Sequence, residues 1–234
     1  MTTGSVRLPV APPIDKLLGG GLESGCVTNF YGPAATGKTN IALAAVVSAI
    51  NSGHKVLYVD TEGGFSAERL SQMVSGSALK YTDKIILLEP KTWLEQKLTF
   101  DKLEDICKRE PIGLIVVDSI VALWRVTIDD SNFQSISREL GSQLSLLSKL
   151  ARESKIPVLI TNQVYSHPDT GKIELSAKNI VKWWAKNIVE LSHAGRTSCR
   201  IARIARARSL PEDKQVEFEI VDEGLKEVSK LRLF

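Results

Sequence analysis

The sequence predicts an α/β fold: a mostly parallel, twisted sheet with helices on both faces and an antiparallel extension toward the C-terminus. Three observations carry this expectation. Short apolar strands alternate with longer helical segments from Val27 to Thr161. A glycine-rich loop of the form GxxxxGK[ST] stands between the first of those strands and the helix after it. After Val164 the chain changes character, toward strands with a two-residue period. Alternating strands and helices build βαβ units, and such units force the strands parallel.

Taken in order, Pro9, Pro12 and Pro13 mark an irregular entry segment, and Gly19, Gly20 and Gly21 read as a turn before the first strand. Residues 27–31 form that strand. Residues 39–51 are almost wholly apolar, as suits a helix buried against a sheet. A second buried strand covers 55–59, and a short helix covers 66–74 with Ser66 as its N-cap. A third strand covers 85–88 and a helix 93–108. Residues 113–117 are an unbroken apolar run of the parallel-sheet type. Within 133–153, Ile136, Leu140, Leu144, Leu147 and Ala151 recur every three or four residues, one apolar stripe on a long helix. The fifth strand covers 158–161. Strand candidates follow at 187–191 and 198–205. In 215–221, Val216, Phe218 and Ile220 alternate with Gln215, Glu217 and Glu219, the mark of a half-solvated strand. Asp222, Glu223 and Gly224 then turn the chain into a final short strand.

The 234 residues are 43% hydrophobic, enough for a sizeable core and too many for a disordered chain. A single domain over residues 1–234 is expected, with no N-terminal helical DNA-binding domain ahead of it. The net charge of +3 permits a polyanionic partner without demanding one. Cys26, Cys107 and Cys199 are far apart and form no CxxC pair, which argues against zinc and for reduced thiols in the cytoplasm. The longest apolar run, 41–50, is too short to cross a bilayer.

Gly32, Pro33, Ala34, Ala35, Thr36, Gly37, Lys38 and Thr39 complete the glycine-rich motif, with an apolar strand before and a helix after. Successive N–H groups and the helix N-terminus would cradle phosphate. Lys38 would reach the β- and γ-phosphates of ATP, and the Thr39 hydroxyl would ligate Mg²⁺. Asp118 ends the apolar run 113–117 and stands where a second magnesium group belongs; a helix-capping aspartate is the alternative. Glu62 follows the second strand and could orient or deprotonate water, with Asp60 a competitor two residues earlier. Gln163 stands after the fifth strand, where an amide could sense the γ-phosphate; ordinary strand-end hydrogen bonds are the alternative.

The entry Ile14–Gly21, GPAATGKT, YVDTEGGFSAERL, LIVVDSI and ITNQV occur in this order. Together they resemble the ATPase core of the archaeal and eukaryotic RecA-type recombinases, over nearly the whole chain. The resemblance implies a RecA-like fold, Glu62 as catalytic glutamate, Asp118 as Walker B aspartate, and Gln163 as the glutamine before the second DNA-binding loop. It implies ATP and Mg²⁺ as ligands, single-stranded DNA and recombination proteins as partners, and work in DNA recombination and repair at the nucleoid. The family's first DNA loop carries a glycine–arginine-rich stretch, whereas residues 125–133 are acidic in the middle. The second loop, 165–177, is short. These departures suit an accessory protein with slow ATP turnover, and a homodimer rather than a long filament.

Two basic stretches are candidate DNA contacts besides Arg125. Lys172, Lys178, Lys182 and Lys186 flank Trp183 and Trp184, where cations could pair with phosphates and rings stack on bases. Arg196, Arg200, Arg203, Arg206 and Arg208 form the densest basic run; read as one strand, Arg200, Arg206 and Arg208 share a face. For the first the alternative is a strand or edge with its tryptophans in the core and its lysines in water; for the second it is a solvated arginine face. The alternatives for the whole chain are a P-loop regulator that gates protein partners, and a small-molecule kinase.

Overall fold

The computed structural model describes residues 6–74, 79–166, 173–175, 177–196 and 198–228. Two short strands, β1 (Arg7–Leu8) and β2 (Leu22–Glu23), pair antiparallel on either side of helix α1 (Pro12–Leu18). The entry segment is therefore helical where an irregular path was expected. Pro12 and Pro13 sit at its first positions, where a missing N–H breaks no helical bond. Gly19, left-handed at φ 70°, ends it.

The core then alternates as the sequence implies: β3 (Val27–Gly32), α2 (Lys38–Asn51), β4 (Lys55–Asp60), α3 (Ala67–Met73), α4 (Leu79–Thr82), β5 (Ile85–Leu88), α5 (Trp93–Arg109), β6 (Ile112–Asp118), α6 (Ala122–Thr127), α7 (Phe133–Ser154) and β7 (Val158–Ser166). After it come β8 (Ile173–Leu175), α8 (Lys178–Trp184), β9 (Asn187–His193), β10 (Cys199–Arg206), β11 (Gln215–Val221) and β12 (Gly224–Glu227). The main sheet runs β12–β11–β10–β9–β3–β7–β6–β4–β5, with β8 beside β7. Strands β9 to β5 along that order are parallel, and β10, β11 and β12 add on antiparallel.

Alternation along each parallel strand divides the core between the two sheet faces. Val56, Tyr58, Leu114 and Val116 pack with α1 and α2 on one face. Leu57, Val59, Ile115 and Val117 pack with α5, α7 and α8 on the other. The stripe Leu140, Leu144, Leu147 and Ala151 of α7 is fully buried there, as its spacing requires.

Several local expectations change. Strand β7 continues through Gln163 to Ser166, because its last residues pair with β8. Residues 122–127, the near flank of the expected first loop, are helical. Trp183 and Trp184 lie on helix α8. The arginine run does not form one face. A bulge between Ile204 and Arg206 reverses the alternation, so Arg206 points to the face opposite Arg200, and Arg208 lies beyond the end of β10.

Gly32 closes β3 beside β9. A Cβ there would stand 2.3 Å from the Leu191 carbonyl oxygen, a backbone atom that cannot swing aside. Gly32→Ala should therefore destabilise the nucleotide-free chain by about 1–3 kcal/mol, read as a lower urea midpoint. An unchanged midpoint would mean that this glycine matters only for ligand approach.

Candidate functional site

The parallel register lines up one edge of the sheet. Gly32 of β3 sits opposite Gln163 of β7, and Asp60 of β4 opposite Asp118 of β6. All four therefore stand at the carboxyl ends of parallel strands, where α/β sheets place their ligands.

The loop from Gly32 to Lys38 wraps tightly. Ala35 (φ 59°) and Gly37 (φ 95°) are left-handed, and the buried Thr36 hydroxyl donates to the Pro33 carbonyl at 2.8 Å. No side chain caps the N-terminus of α2, which leaves its first N–H groups facing the loop's concavity. Lys38 curls over that concavity, its ammonium donating to the carbonyls of Gly32 (2.9 Å) and Pro33 (2.7 Å). Burial lowers the Lys38 pKa, and the nearby carboxylates of Glu62 and Asp118 oppose the shift. An anion in the loop would relieve that desolvation.

Asp118 is buried and collects hydroxyls. Its Oδ2 accepts from Thr39 Oγ1 at 2.7 Å and from Tyr58 at 3.1 Å, and its Oδ1 from Thr161 Oγ1. Burial, then the charges of Asp118 and Asp60, push the Tyr58 phenol well above its usual range. Tyr58 thus acts only as a donor. The Thr39 hydroxyl beside the Asp118 carboxylate offers the hard oxygen pair that Mg²⁺ takes, with water and phosphate oxygens filling its other positions. Among the described residues, no cluster of three or more His, Cys, Asp or Glu could hold a metal by itself. The donor set fits a cation that arrives with a phosphate ligand.

The two competing carboxylates separate. Asp60 is buried and accepts the backbone N–H groups of Glu62 (3.1 Å), Gly64 (3.2 Å) and Phe65 (2.8 Å). It is committed to shaping the loop. Glu62 is exposed on that loop, close enough to Lys38 to act on its charge. Gln163 Nε2 donates to both Glu62 oxygens, at 2.8 and 2.9 Å, and Gln163 Oε1 accepts from Arg125 Nη1 at 2.8 Å.

The C-terminal extension reaches the same loop, a feature sequence reading missed. His193 Nε2 lies 3.2 Å from the Ala34 carbonyl, and Arg200 Nε donates to the Ala35 carbonyl at 2.9 Å. A Cβ on Gly37 would meet Ile220 Cδ1 at 2.9 Å. These contacts span some 160 positions of sequence, and no local motif announces them. Arg200 is thus a brace of the phosphate loop rather than part of a basic face.

The remaining candidates gather elsewhere. Lys172 lies outside the described residues, as does the side chain of Lys178. Lys182, Trp183, Lys186, Arg206 and Arg208 are all exposed. Arg206 Nη1 donates to the Lys182 carbonyl at 2.6 Å, and the Lys186 N–H to the Val27 carbonyl at 2.9 Å. Arg208 and Lys186 both act on the buried Cys26 thiol, which burial and then Glu23 push upward in pKa. Cys26 precedes β3 and the phosphate loop follows it, so this cluster is about one strand length, roughly 20 Å, from the loop. Arg203 is paired with Glu190 and Asp213.

The family model for Rad51 matches residues 1–228. The chain is 40% identical over 224 residues to the DNA repair and recombination protein RadB of Methanosphaera stadtmanae, covering 94% of this chain and 96% of that one. Against the protein of the same name from Thermococcus sibiricus it is 39% identical over 235 residues, covering 99% and 97%. Among solved structures it superposes on the RadB recombinase with a TM-score of 0.81 at 34% identity, covering 95% of this chain and 100% of that one.

The lowered Lys38 pKa gives a signed expectation. A triphosphate beside the ammonium raises that pKa again, so binding should take up protons at alkaline pH, between the depressed value and the restored one. Calorimetry in buffers of different ionisation enthalpy reads this directly. Lys38→Ala should lose both the uptake and most of the affinity; proton release on binding would contradict the site.

Proposed function

The chain belongs to the Rad51 family, and on that premise we propose that it binds ATP with Mg²⁺, hydrolyses it slowly, and serves homologous recombination and DNA repair as a DNA-binding accessory protein. The observation that carries this reading is the convergence of Lys38, Thr39, Asp118, Glu62 and Gln163 at one sheet edge from α2, β6, the loop after β4, and β7. The names of its relatives point the same way.

In this reading Gly32–Thr39 holds the phosphates, with backbone N–H groups and the Lys38 ammonium on the β- and γ-oxygens. Thr39 and Asp118 would hold Mg²⁺, which neutralises developing phosphate charge. Glu62 orients the attacking water and accepts its proton as the water oxygen bonds to the γ-phosphorus and the bridging oxygen departs with ADP. Gln163, opposite Gly32, is placed to sense whether the γ-phosphate is present. Glu62→Gln removes the proton acceptor and keeps the shape. Turnover should fall about 100-fold or more, the usual weight of a general base, with ATP affinity nearly unchanged in the same preparation. Turnover equal to wild type would remove Glu62 from the role.

For DNA the exposed cluster Lys182, Lys186, Arg206 and Arg208, with Trp183 at 80% exposure among them, replaces the continuous arginine face. Cations would neutralise phosphates and the indole would stack on a base. Four contacts on a single strand imply a log affinity that falls with log salt at a slope of about 3. Neutral replacement of those four side chains should flatten the slope and leave ATP affinity unchanged, since the cluster is remote from the phosphate loop. An unchanged slope would move the DNA surface elsewhere. Among the described residues no helix is long and apolar enough to cross a membrane. A role in DNA repair, the reading its relatives' names support, would put the protein in the cytoplasm with the nucleoid. A homodimer and contacts with other recombination proteins complete the proposal.

A further inference from the structure

The contacts among Arg125, Gln163 and Glu62 have a direction. A glutamine amide presents an acceptor at one end and donors at the other. Arg125 Nη1 holds the acceptor end at 2.8 Å, so the donor end must face Glu62, where it meets both carboxylate oxygens at 2.8 and 2.9 Å. The reversed amide would set its oxygen against a carboxylate and its NH₂ against a guanidinium, two like-signed contacts. Arg125 therefore reinforces from the other end the one orientation that engages the Glu62 oxygens toward β7. A carboxylate held this way has fewer lone pairs and less freedom for the proton of a water over the phosphate loop.

We propose that Arg125 is a positioning residue that restrains hydrolysis: it pins the Gln163 amide against Glu62 and so keeps turnover low while ATP stays bound. The inference rests on the reading of Glu62 as the proton acceptor. Arg125 stands on α6, exposed to solvent, and is separate from the phosphate loop and from the Thr39–Asp118 pair. Removing its guanidinium disturbs the amide without touching the groups proposed to hold ATP. The signature is a change in kcat with KM unmoved.

The test uses the full chain and five variants. Arg125→Met should raise kcat about three- to tenfold, the weight of one exposed hydrogen bond, with KM for ATP within about twofold of wild type on the same scale. Arg125→Lys keeps a cationic donor and should restore most of the restraint. In a Gln163→Ala background Arg125→Met should change nothing further, whatever the level of that background, because the arginine acts through the amide. A second readout needs no turnover. In the nucleotide-free protein the Gln163 side-chain NH₂ resonances should move toward those of a solvated glutamine in Arg125→Met, and stay in place in Arg125→Lys.

An unchanged or lowered kcat, an Arg125 effect that survives Gln163→Ala, or an unmoved amide signal would each overturn the proposal. The Glu62→Gln arm separates the two levels of the argument. If turnover survives it, the reading of Glu62 fails and the restraint has no base to act on. A shift in the amide signal would then show a pin with a structural role alone.

Discussion

Burying a carboxylate is unfavourable by several kcal/mol unless hydrogen bonds replace its lost water. Asp118 meets that demand with three hydroxyls drawn from three elements: Thr39 on α2, Tyr58 on β4 and Thr161 on β7. The carboxylate therefore ties the helix after the phosphate loop to the strands on either side of its own. Because the donors come from three different elements, the site edge and the fold are specified together. A shift of register in β4 or β7 by one residue would turn Tyr58 or Thr161 to the opposite face and leave the charge short of a donor. The same carboxylate that organises the core is the one suited to a cation. On the proposed reading, structural and metal-holding demands fall on one residue, and substitution there cannot separate them.

The phosphate loop is held from a second direction. Strands β9, β10 and β11 bring His193, Arg200 and Ile220 against Ala34, Ala35 and Gly37. The antiparallel extension is thus part of the site's scaffold. Lys38 completes the picture from inside, its ammonium on two carbonyls of its own loop. Those bonds keep a partly buried cation satisfied while the loop stays in the shape an anion needs, so little reorganisation stands between this geometry and a bound phosphate.

Much of this was legible in the sequence because it is local. The apolar runs of β4 and β6, the seven-residue rhythm of α7 and the whole phosphate motif need only neighbouring residues to be read. The losses have distinct physical causes. Pro12 and Pro13 look like breakers, yet at the first turn of α1 they are compatible with a helix. Arg200 and Arg206 share a face in any regular strand, and a bulge invisible to parity counting sends them to opposite faces. Asp60 competes with Glu62 on residue type and position alone, two residues earlier in the sequence. Only the fold shows that the first is occupied by three backbone N–H groups and the second is exposed near Lys38. The arginine and histidine braces on the loop required a tertiary contact that no pattern encodes.

The segment after α6 bears on how the proposed DNA surface and the phosphate loop relate. Asp129 accepts from Ser131 N and Oγ and from Asn132 N and Nδ2, and Asn132 Nδ2 also donates to the Thr127 carbonyl. Hydrogen bonds to Ser131 and Asn132 hold the Asp129 carboxyl below its usual pKa, so its charge persists to lower pH than a free aspartate's. The turn is satisfied within itself and leaves Asp129 and Asp130 exposed, a local negative charge after α6. The proposed DNA contacts near α8 lie at the opposite end of β3 from the phosphate loop. Direct electrostatic influence across that distance is largely screened at physiological salt, where the Debye length is about 8 Å. Communication between the two would have to pass through packed elements, and α8 packs on α7, whose N-terminus follows the Asp129 turn. On the proposed reading, holding DNA and holding ATP are nearly independent acts, with Arg125 and Gln163 setting the pace of hydrolysis from within.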